Sequence, residues 1–282
     1  MDTDESSSSR ADVGVFGGSG FYAFLDETRE VTIETPWGPP SAPVTIGLIG
    51  DVRVAFLPRH GIGHHLPPHK VDYRANVAVM RALGVGALLA PFAAGSLQPT
   101  IHPGEFVVVD QLVDRTSGRV ETFHDHFDDG PQHVSLADPY DEGLRALLVD
   151  VGNAEGFVMH ERGTVVVVNG PRFSTRAESE WFGKMGWDVV NMTQHPEAAL
   201  AREAGLPFGS VALVTDYDAG LVGRDDIEPV SQERVFELFE RNLGRLRTLL
   251  GGVITRWGAP ALGAGTPAPT TAPLRPTGAP TR

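Results

Sequence analysis

An α/β fold in a single domain is predicted by three features of the chain: short apolar runs of strand length, helical segments between them, and the small or polar residues in which those runs end. The 282 residues suffice for one large α/β domain or two ordinary ones, and 41% apolar content is normal for a folded protein. Between residues 12 and 257 there is no linker and no internal repeat, so this stretch is read as one domain. Residues 1–11, acidic and serine-rich, and residues 258–282, mostly Ala, Pro, Thr and Gly, lack the bulky apolar side chains that offset the entropy of ordering. Both are expected to be disordered.

The net charge of −13 argues against polymeric nucleic acid or an anionic membrane surface as partner, since either needs a basic face. A small anion can still be held by a local cluster. The absence of cysteine excludes disulfides, thiolate chemistry and Cys-based zinc sites. No apolar run reaches membrane-spanning length and no signal-peptide pattern opens the chain, so the expected location is the cytoplasm.

In chain order, Val13-Gly14-Val15-Phe16 reads as a buried strand that runs into Gly17-Gly18-Ser19-Gly20. Glycines let the backbone approach a ligand, and Ser19 adds a hydroxyl donor suited to a phosphate oxygen. The spacing fits neither a Walker loop nor a dinucleotide fingerprint. Strands are expected at Val31–Ile33 and Val44–Ile49 around the turn Pro36–Pro40, then at Val52–Leu57. That last strand delivers Arg59 and His60, a permanently charged fork beside an imidazole, read as an anion clamp. With His64, His65 and His69 close behind, a helical metal site is the alternative, and Gly61, Gly63, Pro67 and Pro68 oppose a helix there.

Val71–Leu83 has helical periodicity, Ala87–Ala90 is the next strand, and the small residues from Ala93 to Ser96 clear space at its end. Phe106–Asp110 reads as strand, and Thr116–Asp138, with His124-Asp125-His126 and Asp128-Asp129, as a solvated acidic loop rather than a metal site. Leu144–Val151 is helical and Gly163–Val168 a strand. After Gly170-Pro171-Arg172-Phe173, a Ser/Thr-rich segment starts a helix with Glu178 placed to close a capping box. Val189-Val190-Asn191-Met192-Thr193, the helix Glu197–Ala204 and the run Val211–Asp218 form a strand–helix–strand unit, punctuated by Gly205 and Pro207. Ser231 opens a final amphipathic helix with Val235, Leu238, Phe239, Leu243 and Leu246 on one face.

Ligands of open α/β sheets bind at the carboxyl ends of strands, so Met192, Thr193, Asp216 and Asp218 are expected to border one crevice. Alternation turns Asp216 and Asp218 to the same side if the strand persists that far; taken alone, such an Asp-x-Asp also serves as a cap for the next turn.

Gly-Gly-Ser-Gly at 17–20, Pro-Arg-His-Gly at 58–61, Gly-Ser-Leu at 95–97, Gly-Pro-Arg-Phe-Ser-Thr-Arg-Ala-Glu at 170–178, Asn-Met-Thr at 191–193 and Thr-Asp-Tyr-Asp at 215–218 occur in one order. In that order they resemble the purine nucleoside phosphorylase family, its methylthioadenosine phosphorylase branch above all, over about residues 12–250. The resemblance implies a single domain with a central mixed β-sheet flanked by helices, a homotrimer, and phosphorolysis of a purine nucleoside with inorganic phosphate as co-substrate and no metal or organic cofactor. It further implies that Ser19, Arg59, His60, the backbone at Ala93 and Thr193 hold phosphate, that Met192 lies against the ribose and that Phe173 lies beside the base. On the same grounds Asp216 faces purine N7, Asp218 the 6-amino group, and His133 is lent to the 5′ pocket of a neighbouring subunit. Val235 and Phe236 suit a thioether, while Ser174 and Gln232 are expected to set specificity. The chain departs from the pattern at Phe92, where many relatives place Thr, at Gln194-His195, and at Gln232, where typical methylthio-binding relatives are apolar.

Cleaving an N-glycosidic bond builds positive charge on the sugar and negative charge on the leaving purine. A dianion under the sugar and a protonated Asp216 at the base meet both demands, provided that burial and a neighbouring carboxylate raise the Asp216 pKa. Asp218 as acceptor favours 6-amino over 6-oxo purines. Three other readings stand beside methylthioadenosine phosphorolysis: a broader phosphorylase of adenosine, inosine or guanosine, a nucleosidase using water, and a catalytically silent nucleoside-binding protein.

Overall fold

Successive side chains of the central strands enter different cores, which is why those strands read as continuous apolar runs. The computed structural model describes residues 10–17, 25–127, 130–219, 221, 227 and 230–261. Ser19 with most of its glycine-rich loop, Asp128-Asp129, most of the segment 221–229 and the greater part of both termini lie outside the described residues.

The strands are β1 (Val13–Gly17), β2 (Asp26–Val31), β3 (Val44–Ile49), β4 (Val52–Pro58), β5 (Ala87–Leu89), β6 (Phe92–Ser96), β7 (Phe106–Val108), β8 (Gln111–Arg115), β9 (Met159–His160), β10 (Thr164–Val168), β11 (Val189–Asn191), β12 (Phe208–Gly209) and β13 (Val211–Tyr217). The helices are α1 (Tyr73–Ala82), α2 (Glu142–Ala154), α3 (Arg176–Lys184), α4 (Gln194–Glu203) and α5 (Gln232–Ala261), the last running beyond the domain end expected at residue 257. Among the described residues the strands form two mixed sheets, in the orders β12-β5-β1-β4-β3-β2 and β8-β10-β11-β6-β13-β7-β9. The expected mixed sheet is thus present in two halves. Three chain segments pass from one half to the other: β5 into β6 through Ala90-Pro91, β11 into β12 by way of α4, and β12 into β13 through Ser210.

The pleat assigns the faces. Val13, Val15, Val54 and Phe56 pack with Leu144 and Leu148 of α2 and Leu246, Leu250 and Ile254 of α5. Phe16, Ala55 and Leu57 turn the other way, against Val77 and Met80 of α1 and Leu200 of α4. Each fully buried Val, Leu or Phe contributes about 1.5–3 kcal/mol relative to exposure, so helices on both faces are what holds these strands. No helix among the described residues is long and apolar enough to cross a membrane.

The first outer strand differs from expectation. It covers Asp26–Val31 rather than Val31–Ile33, because it is an edge strand paired antiparallel with β3 whose side chains are mostly exposed; no apolar face marks it. The small residues read as the end of a strand are themselves β6, which follows Pro91 into the second half-sheet and lies parallel to β13.

The Gln194 departure has a structural reason. Ala90 sits where the chain changes sheets, and its carbonyl accepts from the Ser210 hydroxyl and, at 3.2 Å, from Gln194 Nε2. Gln194 Oε1 in turn accepts from Tyr140 Oη at 3.0 Å. A polar side chain buried at the sheet junction there satisfies a carbonyl displaced from the ladder.

Candidate active site

The carboxyl ends of β4, β11 and β13 converge. β1 and β4 run parallel with Gly17 opposite Pro58, so the glycine-rich segment departs beside Arg59, whose amide donates to Gly17 O at 3.0 Å. A cavity of about 450 Å³ lies at this confluence. Among its lining residues are Arg59, His60, Phe92, Ala93, Phe173, Ser174, Met192, Thr193, Asp216, Asp218, Gln232, Val235 and Phe236, which brings together nearly every residue expected to contact a ligand. Ser19 lies outside the described residues, and His133 is exposed, its ring 5.6 Å from that of Phe127 and not part of this chain's cavity. Phe92 faces the cavity from the first residue of β6.

Arg59 is buried, and its orientation is fixed from behind. Its Nε donates to Glu197 Oε1, while Nη1 lies 3.4 Å from Pro91 O. Glu197 is fully buried; burial raises its pKa, against the lowering effect of Arg59. Sequence reading placed Glu197 only as a helix residue.

His60 differs from a charged clamp. Its Nδ1 lies 2.9 Å from Leu66 O, and since a carbonyl only accepts, Nδ1 carries the hydrogen and Nε2 is left as an acceptor. Burial, then Arg59 and His64, push its pKa down to about 3, so the ring stays neutral near pH 7. Toward an anion such an imidazole accepts from a hydroxyl; it does not add a positive charge. His64, at a positive φ of 58°, stacks on His60 with ring centroids 4.3 Å apart and meets Phe236 edge-on at 6.0 Å. It joins the Arg59–His60 end of the cavity to the apolar wall of α5.

At the opposite end β13 pairs with β6, and the register shifts between Val214 and Asp216, so that Asp216 stands opposite Gly95. A Cβ on Gly95 would stand 2.9 Å from Asp216 Oδ1 and 3.3 Å from Asp218 Cβ. Asp216 Oδ1 and Asp218 Cβ therefore stand over the same glycine, although strand alternation is not what aligns them: β13 ends at Tyr217 and its register shifts before Asp216. Burial pushes the Asp216 pKa up to about 6, with a smaller contribution from Asp218 and against a hydrogen bond from Thr215 Oγ1 at 2.8 Å. Burial also raises the pKa of Asp218, although the hydroxyls of Ser179 and Ser174 and the Ala219 amide oppose it. Asp218 and Ser174 both line the cavity; the Ser174 hydroxyl is near enough to the carboxylate to lower its pKa, yet by geometry the buried Ser174 Oγ and Asp218 Oδ2 complete no hydrogen bond. Gly95→Ala is expected to displace Asp216 and lower kcat about a hundredfold with little loss of thermal stability, as steady-state kinetics and a melting curve will measure.

The loop before α3 is held by local chemistry legible in the sequence. Thr175 caps α3, Glu178 reaches back to the Thr175 amide at 2.7 Å, and the capping box is complete. Arg172 forks onto Glu178 at 2.7 Å through each nitrogen. Gly170 has a φ of 62° and approaches Met192 so closely that a Cβ would stand 2.4 Å from its sulfur; only glycine fits.

On α5, Val235 and Phe239 turn to the cavity, whereas Leu243 and Leu246 enter the core. The acidic loop around His124 is tied by Arg74 Nη1 to Asp125 at 2.9 Å. Among the described residues, ligand atoms near enough to share a metal ion are those of Asp114, Glu121 and His195, where His195 Nε2 already donates to Glu121 Oε2 at 2.6 Å.

A family model described as the phosphorylase superfamily matches residues 12–255. An S-methyl-5′-thioadenosine phosphorylase of Mycolicibacterium smegmatis is 52% identical over 240 residues, covering 84% of this chain and 88% of that protein. A purine nucleoside phosphorylase of Streptomyces coelicolor is 50% identical over 247 residues, with 86% and 87% covered. A solved methylthioadenosine phosphorylase from Schistosoma mansoni in complex with adenine superposes with a TM-score of 0.83 at 38% identity, over 89% of this chain and 93% of that one. A point mutant of the adenosine/methylthioadenosine phosphorylase from the same organism, in complex with methylthioadenosine, gives 0.82 at 37% identity, over 89% and 92%.

Proposed function

The chain belongs to the phosphorylase superfamily, and on that premise we infer that it is a pentosyltransferase that cleaves S-methyl-5′-thioadenosine with phosphate, yielding adenine and 5-methylthioribose 1-phosphate. The observation that carries this reading is that one cavity joins Arg59 and Thr193 to Asp216 and Asp218. A phosphate oxygen attacks C1′ as the C1′–N9 bond breaks, and the bond pair departs onto the purine. Asp216, in the fraction that its raised pKa keeps protonated, gives its proton to N7. Asp218 Oδ2 accepts from the 6-amino group, and Phe173 lies beside the ring. Arg59, Thr193, the backbone at Ala93 and Ser19 hold phosphate; His60 accepts from a phosphate or ribose hydroxyl, and Met192 packs on the sugar.

Val235 and Phe236 offer the 5′ thioether an apolar wall, and Gln232 together with Ser174 tunes specificity. No further cofactor is needed, because anion placement and one proton transfer account for the chemistry. We read the enzyme as a cytoplasmic homotrimer in which His133 enters a neighbour's 5′ pocket. Phe127, Val134 and Leu136, exposed at 49%, 43% and 40% on the same segment, support a covered surface there.

Base release from methylthioadenosine, adenosine and inosine, each with and without phosphate, tests the assignment. Strict dependence on phosphate is expected, with both 6-amino nucleosides ahead of inosine. Equal turnover in water alone would mark a nucleosidase, and tight binding without base release a silent binding protein.

A further inference from the structure

Arg119 carried no signal in the sequence and does not line the cavity, yet its guanidinium spans the strand ends from which the cavity is built. Nη2 donates to Met192 O at 2.8 Å and to Asn169 O at 3.0 Å, and Nη1 donates to His195 O. The cation also sits 5.3 Å from the centroid of the Tyr73 ring. Met192 and His195 bracket Thr193, and Asn169 precedes Gly170 and the loop that carries Phe173.

The bracketed stretch has little support of its own. Thr193 has φ −133° and ψ −20° and makes no side-chain cap, and His195 leaves helical geometry inside α4 with φ −112° and ψ 130°. Backbone without helical or ladder bonds takes its position from whatever else grips it. Here the Gln194 side chain is held by Ala90 O and Tyr140, and the grip on either side of it comes from the segment of Arg119: the arginine holds the His195 carbonyl and Glu121 holds the His195 ring at 2.6 Å, with Asp114 3.5 Å away. Two residues further on, Glu197 anchors Arg59.

Charge points the same way. Arg59 is paired with Glu197, so that pair is close to neutral. Among the described residues no carboxylate lies within ion-pair distance of Arg119, whose partners are carbonyls and the Tyr73 hydroxyl. Its positive charge therefore stands directly behind the Met192–His195 segment with no carboxylate in ion-pair contact; Glu197, which it also attracts, is already paired with Arg59, so the two cations against one carboxylate favour a bound anion. Lysine, a point charge on a flexible stem, cannot bridge these carbonyls as a planar fork does.

We propose that Arg119 is a positioning residue for the phosphate half of the reaction, setting Thr193 and the Glu197–Arg59 pair through its carbonyl fork. The proposal rests on the phosphorolytic reading above. The test is the binding of inorganic phosphate and of adenine to the full-length wild type and to Arg119→Gln and Arg119→Lys, with KM for phosphate and kcat alongside. Arg119→Gln is expected to weaken phosphate binding and raise its KM by about ten- to a hundredfold, the effect of losing charged hydrogen bonds, while adenine affinity shifts less than about threefold. Arg119→Lys is expected to retain the fold and weaken phosphate severalfold. Equal losses for phosphate and adenine would reduce Arg119 to a general structural role and overturn the proposal. So would wild-type phosphate affinity in Arg119→Lys, the deciding variant if Arg119→Gln does not fold. A wild type that turns over without phosphate would instead sink the functional reading itself.

Discussion

Asp216→Asn is expected to lower kcat on methylthioadenosine by about 10²–10⁴-fold, the usual worth of a positioned general acid, with a much smaller change in KM. The amide keeps the shape of the carboxyl group but has no acidic proton to give. The pH dependence separates loss of the proton from loss of contact. Burial holds the Asp216 pKa at about 6 against 3.8 for the free group, and the proposed donor is the neutral form. Wild-type kcat/KM should therefore bend downward as pH rises through about 6, a limb that Asp216→Asn lacks. Stability gives a second reading of the same group. A raised pKa means that its stabilising effect is fully present below the unfolded value and is lost as pH rises through the folded one. The asparagine variant should then gain on wild type above about pH 6, by an amount on the order of 3 kcal/mol at most, and that advantage should vanish near pH 3. Melting curves across this range check the sign; a variant as active as wild type on methylthioadenosine would remove Asp216 from the donor role.

Arg59→Met is expected to be the more damaging change to the molecule as a whole. Removing one member of a buried ion pair leaves an uncompensated charge, which costs about 3–5 kcal/mol, and Glu197 is fully buried with its second oxygen already unpartnered. Phosphate affinity should fall in parallel. The double variant Arg59→Met with Glu197→Gln is expected to recover most of the stability, because no isolated charge remains, and none of the phosphate binding. Denaturant unfolding and phosphate titration on wild type and the two variants measure the two effects separately. If the double variant regained phosphate binding, Arg59 would not be an anion-holding residue.

These two cases show how far the order of residues reaches. The strands that bear the site were legible because their faces are both buried and their runs are apolar, and Arg59, Thr193, Asp216 and Asp218 were legible because they follow those runs at strand ends. The capping box at Thr175 and Glu178 was legible because both halves lie within one helical turn. The edge strand at Asp26–Val31 was not, since an exposed edge has no hydrophobic period to detect.

The chain's sequence by itself determined the fold class, the strand ends at which the cavity-lining side chains gather and the chemical type of each, since these depend on local periodicity and residue identity. Only the tertiary structure decided their states: that Arg59 is braced by Glu197, that His60 Nε2 is left to accept because Nδ1 donates to Leu66 O, that burial raises the Asp216 pKa to about 6, and that Arg119 ties Asn169, Met192 and His195 together. Protonation and orientation are set by burial and by hydrogen-bond partners, and in a folded chain many of those partners come from far along the sequence.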